Sequence, residues 1–238
     1  MGEVQPDRWD ELLQEAAAHP GPGQPQEIAE LCVERLSVTG AGISLVSDTG
    51  MRGVICATDD VAMRIEELQL TLGEGPCVDA IAAGGPVLVP DLDDRRDLSS
   101  ERWPAFLAAV AAAGVQAVFA FPLRIGVINL GAMDLYRDAA GPLADKELSA
   151  ALLAAQAASL ALLSLRTTED AGLSVDREMR SFHPQVHQAT GMVMVQAGVT
   201  IEQAFLLLRA RAFASSRSLS AVAADVVARR LRFDSEDL

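Results

Sequence analysis

Arginine is the residue type whose placement in this chain points most directly to chemistry. Residues 177–233 contain eight arginines and three acidic residues, which gives this segment a net charge of +5. The whole 238-residue chain has a net charge of −14, so the residues outside this segment carry −19. Guanidinium groups bind phosphates, and an acidic remainder would keep the rest of the protein away from nucleic acid. The same arginines could instead form an ordinary solvated helical surface. They are Arg177, Arg180, Arg209, Arg211, Arg217, Arg229, Arg230 and Arg232.

Patterns for catalysis and metal binding are weak. His183 and His187 are four residues apart and could meet on one helical face, but Pro184 predicts a bend or a helix start between them. No cysteine or carboxylate at a matching spacing lies nearby, and no nucleophile elbow, phosphate-binding glycine loop or HExxH motif occurs. We therefore expect no catalytic residue, no metal site and no enzymatic activity. An acidic run is typical of a solvated loop: Asp91, Asp93, Asp94 and Asp97.

Cysteine usage and apolar stretches indicate a cytoplasmic location. Cys32, Cys56 and Cys77 are odd in number, far apart and without CxxC spacing, which is typical of reduced core residues. The first residues are mixed and acidic, and lack the basic and apolar regions of a signal peptide. The apolar stretch 150–165 is short for a membrane span and interrupted by polar residues, which favours a buried or dimerising helix.

Helical and strand patterns follow one another from about Gln26 onward, after a short amphipathic segment at 9–18 and a proline- and glycine-rich breaker at 19–25. The predicted order is helix, hairpin, strand, helix, hairpin, helix, which indicates an α+β domain with an antiparallel sheet. Gly73-Glu74-Gly75 is interpreted as a turn. The first helix and the strands are expected at 26–36, 42–47, 52–58, 86–90, 115–125 and 127–136.

Two motifs in this domain, at 72–77 (LGEGPC) and 80–92 (AIAAGGPVLVPDL), resemble the GAF family of bacterial sensory domains over roughly residues 26–166. The resemblance implies a possible small ligand between the sheet and the loops above it. No residue identifies a ligand, and the domain contains no histidine to hold a tetrapyrrole, so we expect no cofactor. The candidate lining residues are equally suited to a filled core: Met51, Cys56, Ile65, Cys77 and Phe119.

A heptad stripe in the next helix predicts dimerisation. Leu148, Leu152, Ala155 and Leu162, with Ser159 between the last two, advance by four and three residues alternately, as in a paired helix. The alternation returns beyond Gly172, which favours a parallel homodimer joined through a helical linker, although small residues at such positions can also pack on their own domain. The second stripe consists of Val175, Met179, Phe182, Val186, Ala189 and Val193.

Three helices are predicted in the arginine-rich part. Gly198 follows the first as a left-handed cap, and Thr200 with Gln203 forms a capping-box pattern for the second. Ser218 is a plausible cap for the third. On the second helix, Arg209 lies near the margin of the apolar face and Arg211 points outward.

The sequence of this module resembles the ANTAR family of RNA-binding domains in bacterial transcription antiterminators. The resemblance rests on Val186 to Val195 (VHQATGMVMV), the arginine-bearing second helix and the apolar third helix. Many ANTAR domains have a lysine where this chain has Thr190, which follows Ala189 on the apolar stripe and is expected to turn about 100° toward solvent or ligand. The expected RNA-binding residues are Gln188, Thr190, Gly191, Arg209, Arg211, Ser216 and Arg217.

The resemblance implies a regulator that binds hairpins in nascent transcripts and prevents terminator formation, with a GAF-like sensor as its control. Two alternatives remain: a helix-turn-helix DNA-binding regulator, and a dimerisation or protein-partner module without nucleic acid. The expected organisation is an extension over 1–25, the GAF-like domain over 26–166, a helical, coiled-coil linker over 167–178, a small three-helix bundle with the ANTAR-like module over 179–233, and an acidic tail over 234–238.

Overall fold

A computed structural model describes Glu11 and residues 23–47, 50–94, 102–170, 184–215 and 217–233. The predicted amphipathic segment at 9–18, His183, Ser216, most of the linker and the acidic tail fall largely or wholly outside the described residues. So do the first three residues of the second heptad stripe.

Five strands form one antiparallel sheet in the N-terminal domain, in the order β2-β1-β5-β4-β3. This confirms the predicted α+β fold with an antiparallel sheet. The hairpin between β4 and β5 turns at Gly126, whose φ of 59° is left-handed. The elements are α1 (Gln24–Arg35), β1 (Gly40–Ser47), β2 (Gly50–Ala57), α2 (Asp60–Leu72), α3 (Pro76–Ala83), β3 (Val87–Val89), α4 (Pro104–Ala111), β4 (Ala117–Ile125), β5 (Ile128–Arg137) and α5 (Asp145–Asp170).

Helices α2 and α3 are absent from the predicted element order. Asp59 caps α2 by accepting hydrogen bonds from the backbone N–H groups of Val61 and Ala62. The predicted Gly73-Glu74-Gly75 turn lies between the two helices, where Glu74 accepts hydrogen bonds from the first backbone N–H groups of α4. Helix α2 escaped the sequence analysis because it buries polar residues toward the sheet, which interrupts the apolar period that usually identifies a helix.

The sheet has a helical layer on each face. Along β4, Ala117, Phe119 and Phe121 pack toward α1 and α5, whereas Val118 packs with α2 and α4. This period-two alternation separates two apolar cores, as expected for a sheet covered on both sides.

The predicted dimer seam on α5 is divided by this packing. Ala155 and Leu162 are buried in the core of their own domain, so the structure does not leave them free to face a partner. Leu148 is partly buried against the same core, and Leu152, with its neighbour Leu153, is exposed. The prediction differs from the structure because α5 is rich in small residues. They let the helix approach the sheet closely, so its buried face includes part of the expected dimer seam.

Helix α5 is also long and apolar enough over residues 145–165 to cross a membrane, and half of that stretch is buried inside the protein. Helices α6 (Pro184–Ala197) and α7 (Ile201–Ala214) pass the same test only as a pair, and that pair is bent by 105°. The buried alanines of α5 pack against the sheet as those of a core helix do.

The C-terminal module contains α6, α7 and α8 (Leu219–Val227). The capping box of Thr200 and Gln203 is present, Ser218 caps α8, and Gly198 has the expected left-handed φ of 66°. Val186, Ala189 and Val193 of the second heptad stripe are buried inside this bundle rather than along a dimer seam. Leu70 of α2 belongs to the same apolar cluster, so the bundle completes its core on the N-terminal domain.

Candidate nucleic-acid interface

Two arginines of the bundle are held side by side by one acidic residue. Arg217 Nη2 lies 2.8 Å from one carboxylate oxygen of Asp225, and Arg230 Nη2 lies 2.6 Å from the other. Hydrogen bonds from Arg217 and then Arg230 hold the pKa of the Asp225 carboxyl below its ordinary value. The two guanidinium groups exceed the carboxylate by one positive charge and remain exposed, which gives a positioned cationic surface suited to phosphate.

An exposed aromatic ring lies near Arg217, one member of this pair. Phe213 is 62% exposed and lines the same cleft as Arg217. An exposed phenylalanine next to arginines is a stacking platform for unpaired bases. Phe213 and Arg230 are not among the site residues predicted from the sequence. Helical phase could have found Phe213, because it lies one residue beyond Ala212, which is on the buried face of α7.

Thr190 is not on the surface where the sequence placed it. Its side chain is buried, with only 5% of its surface exposed, and its hydroxyl donates a hydrogen bond to the carbonyl oxygen of Val186 at 2.7 Å. This local hydrogen bond satisfies the hydroxyl inside the bundle, so the side chain can be buried there. The rotation of about 100° from Ala189 was not sufficient to predict whether Thr190 is exposed. The expectation that Thr190 faces RNA is therefore corrected, while Gln188 is exposed and Gly191 partly exposed on the same helix.

The structure separates the two arginines of α7. Arg211 is exposed, as expected, but Arg209 is partly buried against the N-terminal domain. Its Nε donates a hydrogen bond to the carbonyl oxygen of Thr71 at 2.9 Å, and burial lowers the pKa of its guanidinium below the ordinary value. The predicted arginine face is thus partly occupied by the protein itself.

Family comparisons match both halves of the chain. The model described as GAF domain matches residues 24–163, more than half of the sequence, and the model described as ANTAR domain matches residues 178–227. The chain belongs to the GAF domain family. Its C-terminal module matches the ANTAR domain, so both resemblances found in the sequence are confirmed. Comparison with curated proteins gives no match.

Solved structures that align with this chain include GAF domains. The GAF domain from an Acinetobacter phosphoenolpyruvate-protein phosphotransferase aligns with a TM-score of 0.52 at 10% identity, covering 71% of this chain and 99% of that one. The corresponding domain from Coxiella burnetii aligns at 0.48 and 13% identity, covering 68% and 94%. A type II free methionine-R-sulfoxide reductase from Thermoplasma acidophilum aligns at 0.43 and 15% identity, covering 64% and 96%.

The three cysteines of the GAF domain are buried and form no disulfide bond. Burial raises the pKa of Cys32 to about 12, and it also raises the pKa values of Cys56 and Cys77 well above the ordinary range. These thiols therefore stay protonated and unreactive near neutral pH. Ile65 and Phe119, the other described residues of the predicted ligand lining, are core residues as well. Within the described ranges, no group of three or more potential metal-ligating side chains occurs.

A buried carboxyl pair in the GAF domain escaped the sequence analysis. Glu66 of α2 and Asp134 of β5 are both buried, and Gln69 donates a hydrogen bond to Asp134 while accepting one from the Cys77 backbone N–H at 2.8 Å. Both oxygens of Glu66 and Oδ1 of Asp134 lack a hydrogen-bond partner among the described atoms. Burial raises the pKa of both carboxyls, and the neighbouring Asp134 charge raises that of Glu66 further. A proton shared by the pair would satisfy Oδ1 of Asp134 and one oxygen of Glu66.

Proposed function

We propose that this protein is a non-catalytic transcription antitermination regulator. Its ANTAR domain binds hairpins in nascent leader RNA and prevents terminator formation, and its GAF domain controls that binding. The observation that carries the proposal is the exposed surface made by Arg217, Arg230 and Phe213. The two arginines share Asp225, and Phe213 lines a cleft with Arg217, so charge and an aromatic ring lie together.

This combination favours RNA with unpaired bases. Guanidinium groups supply sequence-independent attraction to the phosphate backbone, and an exposed ring stacks on bases that have left a duplex. The A-form duplex offers neither an unstacked base nor a major groove wide enough for side chains. A hairpin loop presents both phosphates and unstacked bases within a few nucleotides. We include Gln188, Gly191 and Arg211 in the proposed RNA surface, because they lie at least partly exposed on α6 and α7.

The remaining parts of the proposal concern assembly and input. The protein is cytoplasmic and homodimeric, with Leu152 and Leu153 of α5 as the apolar exposed residues at which copies meet. A small molecule acting on the GAF domain is the input, and no cofactor is required. The functional units are the GAF domain over 26–166 and the ANTAR domain over 179–233.

A test compares a stem–loop RNA library carrying a randomised loop with perfectly paired RNA and DNA duplexes of the same stem sequence. We expect the full-length protein to bind the stem–loops and to bind both duplexes at least about tenfold more weakly. Preference for the DNA duplex would support a helix-turn-helix built from α7 and α8. Equal, weak binding of all three would support a dimerisation or protein-partner module.

A further inference from the structure

The contact between Arg209 and helix α2 has the chemistry of a helix cap. The carbonyl oxygen of Thr71 lies in the last turn of α2, where backbone carbonyls have no partner within the helix. Arg209 of the ANTAR domain donates to that oxygen from Nε. A guanidinium at a helix C-terminus also interacts favourably with the negative end of the helix dipole. The GAF domain therefore offers Arg209 the same kind of partner that a phosphate would offer.

Gly73 makes room for this guanidinium. Its φ of 65° is left-handed, and a Cβ added at this position would overlap Nη2 of Arg209. Helix α2 thus ends on the one residue type that closes the helix and leaves space for an arginine from another domain.

Further contacts align the two domains along α2. Ser220 Oγ of α8 lies 3.0 Å from Oε1 of Glu67, and Leu70 packs into the apolar core of the ANTAR domain. Arg209, Ser220 and the bundle core therefore all meet one face of α2. Glu66 and Gln69 of the same helix face the sheet, where Gln69 donates a hydrogen bond to Asp134 of β5.

The docked GAF domain also faces the proposed RNA surface. Phe213 and Arg217 line a cleft of about 590 Å³ whose other wall includes Asp60 and Glu67 of α2. Nucleic acid approaching the ring through this cleft would meet two carboxylates, which repel phosphate. Arg64 lies on the same wall and offsets part of that charge.

Clefts open to solvent reach into the contact between the two domains. Two of them, of about 250 and 470 Å³, border Arg209 and are lined by residues of both domains. Interdomain contacts of this kind permit relative motion. RNA binding would therefore have to displace a few polar contacts and one partly shared apolar core.

We propose that the GAF domain holds its ANTAR domain in a state that cannot bind RNA fully, because the C-terminal end of α2 and RNA compete for Arg209. This inference rests on the proposed function and adds its regulation. Release of Arg209 from Thr71 frees its guanidinium and adds a fourth arginine to Arg211, Arg217 and Arg230 on the RNA surface. By thermodynamic linkage, any ligand that weakens the contact between α2 and Arg209 raises RNA affinity. Bound RNA weakens this contact by the same factor.

The test uses sensor-side substitutions, which leave every proposed RNA contact intact. Gly73→Ala in the full-length protein should expel the Arg209 guanidinium and tighten binding of the stem–loop library by about five- to tenfold. Gly114→Ala is the matched control, because Gly114 has a similar left-handed φ of 76° in the GAF domain but open space where the Cβ would lie. A second pair is Glu67→Ala, which removes the Ser220 contact, and Glu34→Ala, which removes an exposed carboxylate from α1.

The outcomes separate the inference from the proposed function. Tighter binding by Gly73→Ala and Glu67→Ala, with both controls matching the wild type, supports the competition. RNA should then also raise hydrogen exchange of the wild-type backbone at residues 70–74. If the wild type binds RNA but both test variants stay within about twofold of their controls, the competition is wrong while the RNA-binding function stands. If neither the wild type nor any variant binds stem–loops more tightly than duplexes, the proposed function is wrong. The competition for Arg209 is then wrong as well, because it depends on that function.

Discussion

Glu66 and Asp134 face each other between α2 and β5, both buried and both with carboxyl pKa values raised. For Asp134, burial raises the pKa to about 6, whereas an unfolded aspartate titrates near 3.9. The folded protein therefore binds more protons than the unfolded chain between about pH 4 and pH 6. The pair's contribution to stability is greatest below about pH 4 and decreases as the pH rises through 6.

Glu66→Gln should weaken this pH dependence, because an amide donates a hydrogen bond to Asp134 without a shared proton. Between pH 5 and pH 8 the wild type should lose roughly 1–3 kcal/mol more unfolding free energy than the variant. Urea denaturation at both pH values measures the difference. Glu34→Gln, an exposed carboxyl on α1, is the control and should follow the wild type. Parallel losses in Glu66→Gln and wild type would contradict proton sharing.

Thr190→Lys should destabilise the ANTAR domain without improving RNA binding. The buried hydroxyl bonded to Val186 would be replaced by a long cation with no partner, at a cost of about 3 kcal/mol or more. Gln188→Lys adds the same charge at an exposed position two residues away and should leave the melting temperature nearly unchanged. Thermal denaturation and stem–loop affinity are measured for both. A stable Thr190→Lys variant with tighter RNA binding would return this residue to the RNA surface.

Phe213→Ala should reduce stem–loop affinity by about 1–3 kcal/mol if its ring stacks on a loop base. Because the ring is exposed, the melting temperature should change little. Ile201→Ala removes another exposed apolar side chain from α7 and should leave RNA affinity unaltered. Equal RNA affinities for the two variants would exclude stacking by Phe213.

The dimer proposal now depends on the exposed side of α5. Leu152→Lys should shift the protein toward monomer in sedimentation without lowering its stability, since Leu152 is 46% exposed within one chain. Leu162→Ala should instead lower stability by about 2–5 kcal/mol through a cavity in the GAF core, with no direct effect on assembly. An unchanged oligomer in Leu152→Lys would reject this face as the contact between copies.

Local signals in the sequence were sufficient for most of the fold. The capping box of Thr200 and Gln203, the cap at Ser218 and the turn at Gly126 depend on residues a few positions apart, and each is present. Helix α2 was missed because Glu66 and Gln69 are buried through tertiary partners, which breaks the apolar period.

The candidate site was less predictable. Arg209 and Thr71 are separated by 138 residues, so no local pattern relates them. Composition placed the arginines correctly in one module, but only packing shows which guanidinium groups are exposed. Ala155 and Leu162 illustrate the same limit, since one apolar stripe fits either a partner helix or the domain's own sheet.

The most direct test of the central claim is the salt dependence of stem–loop binding by the full-length protein and by a variant with Arg211, Arg217 and Arg230 changed to alanine. Arg35→Ala, which removes an exposed arginine from α1, serves as the control. We predict that the triple variant loses affinity and that its slope of log affinity against log salt is shallower by about 0.7 for each lost phosphate contact, whereas the control keeps the wild-type slope. Equal slopes and affinities for the triple variant and the wild type would contradict RNA binding through this surface.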